Sequence, residues 1–196
     1  GVKVIEHATY YAAPGAGGIL SDWGAEVIKI EPPAGDPVRS NFPTKGTGKE
    51  HLTDNPAFDG DNRGKKSIVV DARTEEGQEI IRKLADTADV FLTNFLPDAR
   101  QKLKIDVEHI RASNPQIIYA RGSAHGDKGP ERTVGGYDGT AFWTRGGIGY
   151  ALTPEELPSV MSQGIPAMGD TTGGMNIAGG IAAAHLDAYR AAGWEV

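Results

Sequence analysis

Cysteine is absent from the 196-residue chain, which excludes disulfides, thiolate nucleophiles and cysteine-type zinc sites and is compatible with the cytoplasmic location that we expect. No apolar run approaches the roughly 20 residues of a membrane span, so no membrane partner is expected. Basic residues number 20 against 26 acidic ones, and the net charge of −6 argues against a nucleic-acid partner. No histidine pair has helical metal spacing and G-x-S-x-G is missing, which disfavours metal and serine chemistry.

Short runs rich in valine, isoleucine and phenylalanine alternate with helical patterns along the chain. The apolar runs, typical of strands buried on both faces of a parallel sheet, are Val2–His7, Ala25–Glu31, Ser67–Asp71, Asp89–Phe95 and Ile117–Arg121. The helical stretches are Pro14–Trp23, Thr74–Ala88, Asp106–Ser113 and Thr171–Ala192. This alternation predicts an α/β fold with a Rossmann-like, open and mainly parallel sheet that carries helices on both faces.

Glycine is over-represented, with 27 residues, and lies mainly in turns and in the last of these helices. One face of that helix is very small, so we expect it to pack tightly against another element. Two segments, Glu31–Arg63 and Gly122–Gly136, are rich in proline or glycine and show little periodicity. Loops of this length inside a domain are usually functional or disordered.

Three patterns leave a functional and a structural interpretation open. The turn Gly15–Gly18 lacks the complete phosphate-binding motifs, so close packing of a helix on a strand is favoured over a phosphate site. Asn94 and Phe95 close a strand and either bind a heterocycle or begin a turn. Cations at or beyond strand ends either meet a polyphosphate or form a solvated rim; they are Arg63, Lys65, Lys66, Arg73, Arg100 and Lys102.

Asp170 stands between glycines at the start of the last predicted helix. The structural interpretation is a helix N-cap, whose carboxylate accepts hydrogen bonds from free backbone N–H groups. The chemical interpretation is a nucleophilic carboxylate that helix-end amides keep ionised and that small neighbours leave open to a bulky acyl group. The residues alone favour the cap.

Several motifs together resemble the class III CoA-transferases and cover essentially the whole chain. In order, they lie at Ala12–Gly15, Asp22–Pro33, Gly35–Arg39, Asn62–Asp71, Ala88–Pro97, Asn114–Ala120, Gly135–Asp138 and Gly169–Gly174. The resemblance implies a Rossmann-like CoA-binding region, an interlocked homodimer, acyl-CoA and a small carboxylic acid as substrates, and no metal. Its nucleophile falls on Asp170, which would carry CoA as an aspartyl thioester.

The same resemblance assigns further site residues. Tyr137 and Asp138 match positions beside the thioester, and Tyr11 stands where some transferases carry a glutamine. The positions that match the CoA-binding residues are Val70, Arg73, Asn94, Phe95, Leu96 and Lys102.

Within the family, the alternative activity is that of an α-methylacyl-CoA racemase, which uses a histidine and an aspartate. Its histidine would fall at Tyr137, and a tyrosine with a pKa near 10 is a poor base at neutral pH, so the transferase is favoured. The run Gly136–Ile148 is similar to the cinnamoyl-CoA:phenyllactate branch, which acts on 2-hydroxy and aryl acids. Phe142 and Trp143 in this run either line an acyl pocket or belong to a helix core.

The length agrees with one CoA-binding domain over residues 1–196, the N-terminal portion of the family fold. Subunits of the family are roughly twice as long, so we expect a fragment or cleaved product that is inactive alone, without the second domain and the return segment. A third interpretation is a non-catalytic fragment that binds acyl-CoA and shows no turnover.

Overall fold

The computed structural model describes residues 1–41 and 55–193, and a five-stranded parallel sheet forms its centre. The strands are β1 (Lys3–His7), β2 (Glu26–Glu31), β3 (Lys66–Val69), β4 (Val90–Thr93) and β5 (Ile118–Arg121). They follow the spatial order β3-β2-β1-β4-β5, and every neighbouring pair is parallel. All five predicted strands are therefore confirmed, and each strand end lies within two residues of its predicted position.

Helices connect the strands, and further helices come after the last strand in the sequence. They are α1 (Ala12–Asp22), α2 (Pro56–Asn62), α3 (Glu75–Asp86), α4 (Pro97–Lys102), α5 (Val107–Arg111), α6 (Ile148–Leu152) and α7 (Met168–Ala191). A 3₁₀ turn spans Pro37–Asn41, and a π-helix spans Asp138–Arg145. Among the described residues, none of the helices has the length and apolar character needed to cross a membrane.

The predicted loop Glu31–Arg63 contains ordered structure at both ends. The 3₁₀ turn lies near its beginning and α2 near its end, so a continuous loop was the wrong prediction there. Helix α2 starts at Pro56 because Asn55 caps it: the Asn55 side-chain oxygen accepts a hydrogen bond from the Phe58 N–H at 3.0 Å. The middle of the loop, residues 42–54 with Pro43 and His51, lies outside the described residues.

The core occupies both faces of the sheet, because successive residues of a strand point to opposite sides. On one face, Ile5 of β1 packs with Ile81 of α3 and Ile110 of α5. On the other face, Val4 packs with α1 and with Ile181 of α7. The predicted Rossmann-like sheet with two helical layers is thereby confirmed.

Helix α7 packs against α1 through the small face that the sequence predicted. It begins at Met168, three residues before the predicted start at Thr171. Gly174 and Ala178 are buried, and a Cβ added at Gly174 would lie 2.8 Å from the Ala12 carbonyl oxygen. The two backbones therefore approach so closely that no side chain fits between them.

This contact predicts opposite effects for two glycines of the same helix. Gly174→Ala should lower the free energy of unfolding by about 1–3 kcal/mol, because the new methyl group pushes α1 and α7 apart. Gly179→Ala faces open space and should raise the free energy of unfolding by about 0.5–1 kcal/mol through lower backbone entropy of the unfolded chain. Urea denaturation of both variants tests this pair, and equal effects would contradict the proposed contact.

Four buried charges form an ionic cluster on the β1–β2 side of the fold: Glu6, Lys29, Asp36 and Lys65. The Lys29 ammonium lies 3.0 Å from Glu6 and 2.9 Å from Asp36, and Lys65 lies 2.7 Å from the second oxygen of Glu6. Burial alone would lower the pKa of Lys29, but the two carboxylates outweigh it and raise that pKa. The cluster ties β1, β2 and the 3₁₀ turn to the segment before β3.

Candidate active site

An open cleft with a volume of about 2520 Å³ lies beyond the carboxyl ends of the strands. Residues that follow β1, β4 and β5 line it, together with the π-helix and the start of α7. Six of the predicted site residues lie on its wall: Asn94, Phe95, Leu96, Tyr137, Asp138 and Asp170. The edge of the sheet at which an open α/β fold binds ligands thus brings these positions together.

Asp170 lies in the first turn of α7, and its side chain is half-buried in the cleft. The helix starts at Met168 and Ala167 occupies the N-cap position, so the interpretation of Asp170 as a cap was wrong. Burial, followed by the nearby charge of Asp138, raises the pKa of Asp170. The raised pKa runs against the expectation that helix-end amides keep this carboxyl group ionised.

Asp138 performs the capping role instead. Its Oδ1 accepts a hydrogen bond from the Gly169 N–H at 2.8 Å, and its Oδ2 accepts one from the Gln163 side chain at 2.5 Å. The Gly169 N–H is one of the free donors at the start of α7. Asp138 thus holds the backbone directly beside Asp170, from a segment about thirty residues earlier in the chain.

The loop after β1 is fixed from two sides. Thr9 donates its N–H to the Asn94 side-chain oxygen at 3.0 Å, and its carbonyl oxygen accepts a hydrogen bond from the Asn94 side-chain NH₂ at 2.7 Å. Tyr10 donates its N–H to Asp36 at 3.3 Å and adopts a left-handed conformation with φ of 66°. Asn94, predicted to contact CoA, therefore has a structural task as well, since both ends of its amide group bind this loop.

The Tyr10 and Tyr137 rings meet edge to face, with their centroids 5.5 Å apart. A hydrogen bond to Tyr137 is the largest cause that raises the pKa of Tyr10. Tyr137 is 65% exposed and Tyr11 also faces the cleft, so both rings remain accessible to a ligand. Of the two aromatic residues that could line an acyl pocket or belong to a helix core, Phe142 lines the cleft. Trp143 is buried instead and donates its indole N–H to the Met161 carbonyl.

Three of the residues predicted to bind CoA do not line the cleft. Val70 is buried after β3, so only its backbone could meet a ligand. Arg73 is exposed and pairs with Asp71 at 2.7 Å, and this guanidinium lowers the pKa of Asp71 to about 2. Lys102 is exposed at the end of α4. Their assignment to CoA stays a prediction.

Phe95 lies between the cleft and the core. The buried His7 ring meets it edge to face at 4.9 Å, and burial lowers the pKa of His7 to about 4, so this imidazole is neutral at physiological pH. Leu96 beside it is about half exposed. An apolar surface is therefore available next to Asn94.

Most of the basic residues singled out in the sequence have partners inside the protein. Arg63 donates to Asp22 at 2.8 Å, Lys66 pairs with Glu26, and Arg100 is buried against Asp106 at 3.1 Å. These contacts support a structural interpretation of that set. Arg63 and Arg100 nevertheless lie on the cleft wall, together with Arg121 and Arg132. No local motif in the sequence marks the last two.

The turn Gly15–Gly18 serves close packing, as the sequence favoured. A Cβ added at Gly17 would overlap the Glu6 carboxylate, and one at Gly18 would lie 2.8 Å from the Asp61 carbonyl oxygen. Helix α2 therefore lies directly on α1. This contact brings the Asp61 side chain, which the sequence analysis also missed, to the cleft wall.

Asp61 carries an unusual carboxyl group. Burial raises its pKa to about 6, and the charges of Lys65 and Arg63 compensate only in part. Among the residues that the structure describes, none forms a hydrogen bond or ion pair with it. An ionised Asp61 therefore destabilises the folded protein.

We expect Asp61→Asn to raise the free energy of unfolding by about 1–2 kcal/mol at about pH 7.5, after allowance for the partial exposure of the group. The folded state binds the proton on Asp61 more tightly than the unfolded state does. The loss of stability that Asp61 causes in the wild type therefore grows as pH rises from about 4 to about 6. Below about pH 4 the variant and the wild type should converge. Urea titrations across this range, with the exposed Asp59→Asn as control, test the prediction.

Metal ligands do not gather in the part of the chain that the structure describes: no group of three or more histidine, aspartate or glutamate side chains is arranged to hold an ion. Asp22 and Asp127 of the cleft pair with arginines, and Asp138 binds the Gly169 N–H. The arrangement presents a half-buried carboxyl group, Asp170, to a large cleft with aromatic and apolar walls.

Two curated relatives are similar over nearly the whole chain. It is 40% identical over 184 residues to cinnamoyl-CoA:phenyllactate CoA-transferase of Clostridium sporogenes, covering 94% of this chain and 44% of that protein. It is 38% identical over 199 residues to (R)-2-hydroxy-4-methylpentanoate CoA-transferase of Clostridioides difficile, covering 100% of this chain and 49% of that protein. The chain thus spans about half the length of these relatives, which belong to the branch that the sequence pointed to.

Solved structures show the same architecture. Rv3272 from Mycobacterium tuberculosis superposes with a TM-score of 0.82 at 34% identity, over 98% of this chain and 50% of that one. A CAIB/BAIF family protein from Brucella suis gives a TM-score of 0.83 at 36% identity, with the same coverage of 98% and 50%. A sequence model of CoA-transferase family III matches residues 1–193, and the chain therefore belongs to that family.

Proposed function

We propose that the protein transfers CoA from an acyl-CoA donor to a free carboxylic acid, with Asp170 as the nucleophile. The observation that carries this proposal is the half-buried carboxyl group of Asp170, which faces the cleft and has no donor among the described residues. Its neighbour Asp138 is occupied by two hydrogen bonds and holds the backbone beside it. A carboxylate that is partly desolvated and free of donors is a stronger nucleophile than one in water.

The first half of the reaction moves CoA onto the protein. An oxygen of Asp170 attacks the thioester carbonyl, the carbon–sulfur bond breaks, and CoA leaves as a thiolate while a mixed anhydride forms. The thiolate then attacks the aspartyl carbonyl of this anhydride. The carbon–oxygen bond breaks, the donor acid leaves as a carboxylate, and Asp170 holds CoA as a thioester.

The second half repeats these steps in the opposite direction. The carboxylate of the acceptor acid attacks the aspartyl thioester and expels the CoA thiolate, which gives a second anhydride. The thiolate attacks the acceptor carbonyl, and the new acyl-CoA and the Asp170 carboxylate result. No proton is gained or lost, and each bond that breaks is replaced by another activated acyl bond, so water must be kept out.

CoA would extend along the carboxyl ends of the strands, as the resemblance implies. Phe95 and Leu96 offer an apolar surface for the adenine, and the exposed Arg73 and Lys102 offer charge to its phosphates. Tyr137, at the mouth of the cleft, would lie beside the thioester. The homodimer and the cytoplasmic location likewise remain proposals.

The acceptor that we propose is a 2-hydroxy acid. The names of the two relatives described above contain phenyllactate and 2-hydroxy-4-methylpentanoate, which are both 2-hydroxy acids. The cleft has room for an aryl or branched side chain, and Phe142 contributes an aromatic wall.

The test uses the protein in its full native length with a panel of acyl-CoA donors and free acids in heavy water. Mass spectrometry should detect new CoA thioesters that carry the acceptor acid and no deuterium at the α-carbon. Deuterium at the α-carbon of a 2-methylacyl-CoA, without any new thioester, would indicate racemase activity and contradict the transferase proposal. Binding of acyl-CoA without either product would leave the non-catalytic interpretation.

A further inference from the structure

We propose that Asp61 receives the hydroxyl group of the 2-hydroxy-acid substrate and thereby selects this class of acid; the inference rests on the transferase function proposed above. Asp61 belongs to the last turn of α2 and faces the same cleft as Asp170. Neither the sequence motifs nor the family resemblance pointed to this residue.

The acidic residues that line the cleft are five aspartates: Asp22, Asp61, Asp127, Asp138 and Asp170. Three of them have partners, since Asp22 binds Arg63, Asp127 binds Arg121, and Asp138 binds Gly169 and Gln163. Asp170 is the nucleophile of the proposed reaction. Of the described cleft carboxylates, Asp61 alone is left with neither a partner nor a chemical task.

The position of Asp61 is set by backbone packing. A Cβ added at Gly15 would lie 3.3 Å from Asp61 Oδ1, and one at Gly18 would lie 2.8 Å from the Asp61 carbonyl oxygen. The two glycines therefore let α2 approach α1 and place the carboxyl group over the first turns of that helix. The same first turns contact α7 at Gly174, four residues after Asp170, so both carboxyl groups stand on helices that pack against α1.

The surroundings of Asp61 favour a neutral hydrogen-bond donor as its ligand. The charged groups that act on it are the cations Lys65 and Arg63 and the carboxylates Asp170 and Glu6. Both cations are already engaged, Lys65 with Glu6 at 2.7 Å and Arg63 with Asp22 at 2.8 Å. A second carboxylate would be repelled, whereas a hydroxyl group donates a hydrogen bond without adding charge.

The chemistry of the acceptor supplies such a donor, and the charge of Asp170 acts on Asp61 across the cleft. In a 2-hydroxy acid the hydroxyl group is one carbon away from the carboxylate that reacts at Asp170. When that carboxylate meets Asp170, the hydroxyl group must find an acceptor on the nearby wall or lose its hydrogen bonds to water. A site that offers this acceptor discriminates strongly against the acid without the hydroxyl group, because Asp61 is then left unpaired.

The experiment compares 2-hydroxy-4-methylpentanoate with 4-methylpentanoate as acceptors, in the protein in its full native length. The wild type should prefer the hydroxy acid in kcat/KM, and Asp61→Ala should reduce this preference about tenfold or more, because the hydroxy acid loses more than its analogue. The change should appear mainly in KM for the acceptor. Asp59→Asn, on an exposed face of the same helix, should keep the wild-type preference.

An unchanged preference in Asp61→Ala, or equal losses for the two acids, would overturn the inference, since equal losses indicate a structural role. Asp61→Asn keeps the size and an acceptor oxygen, so its preference should fall between those of the alanine variant and the wild type. Absence of CoA transfer to any acid in the wild type would refute the proposed function instead. The two failures are therefore distinguishable.

Discussion

Asp170→Ala is expected to lower CoA transfer at least about a thousandfold, because the variant has no carboxylate on which to form the anhydride or the thioester. The loss should not come from unfolding. Burial raises the pKa of Asp170, so its ionised form destabilises the fold, and the variant should be at least as stable as the wild type near neutral pH. Steady-state rates together with urea denaturation separate these two effects.

Hydroxylamine provides a direct test of the covalent step. It attacks a thioester and leaves a hydroxamate on the aspartate. It should therefore inactivate the wild type only in the presence of acyl-CoA, and the hydroxamate label should lie on the peptide that contains Asp170. Asp187→Ala, an exposed aspartate further along α7, is the matched control and should keep its rate and its labelling. Full transfer activity in Asp170→Ala, or a label on another residue, would contradict the assignment.

Lys29→Met is expected to lower the free energy of unfolding by about 3–5 kcal/mol. Lys29 is 1% exposed and is shared by Glu6 and Asp36, so its loss leaves two buried carboxylates with too few partners. The methionine fills the space of the lysine stem. The fall in the free energy of unfolding therefore reports the removal of the charge and not the creation of a cavity. Thermal and urea unfolding both report it.

Lys66→Met is the matched control for this variant. Lys66 lies on the neighbouring strand β3 and pairs with Glu26, but both side chains are largely exposed, so its loss should cost less than about 1 kcal/mol. Similar losses for the two variants would show that the ionic cluster contributes little. A moderate fall in activity should accompany Lys29→Met, because Asp36 also holds the backbone of Tyr10 at the cleft.

The sheet was predictable because its signal is local. Runs rich in valine, isoleucine and phenylalanine marked all five strands, and the residues that follow β4 reached the cleft because every parallel strand ends at the same edge. Helix α2 also had a signal that went unused, since Asn55 followed by Pro56 is a common helix start. The prolines and glycines around it obscured this pattern.

Other features depend on residues that are far apart in the sequence. Helix α7 starts earlier than predicted because Asp138 binds the Gly169 N–H, and no pattern near Asp170 shows this contact. Lys29 alternates with apolar residues in β2 like a solvent-facing side chain, yet it is buried by Glu6 and Asp36. Asp61 reaches the cleft because α2 packs closely on α1, and this close approach requires Gly15 and Gly18 of α1. No pattern near Asp61 in the sequence shows it.

The packing of α1 has a consequence for protein engineering. Its contacts with α2 at Gly18 and with α7 at Gly174 join main chain to main chain, so no change of rotamer can make room for a larger side chain at these two glycines. Variants with altered selectivity for the size of the acid should therefore arise at side chains that line the cleft, such as Tyr137 and Phe142. A library restricted to these side chains should retain stability, whereas one that includes Gly18 and Gly174 should contain many destabilised variants.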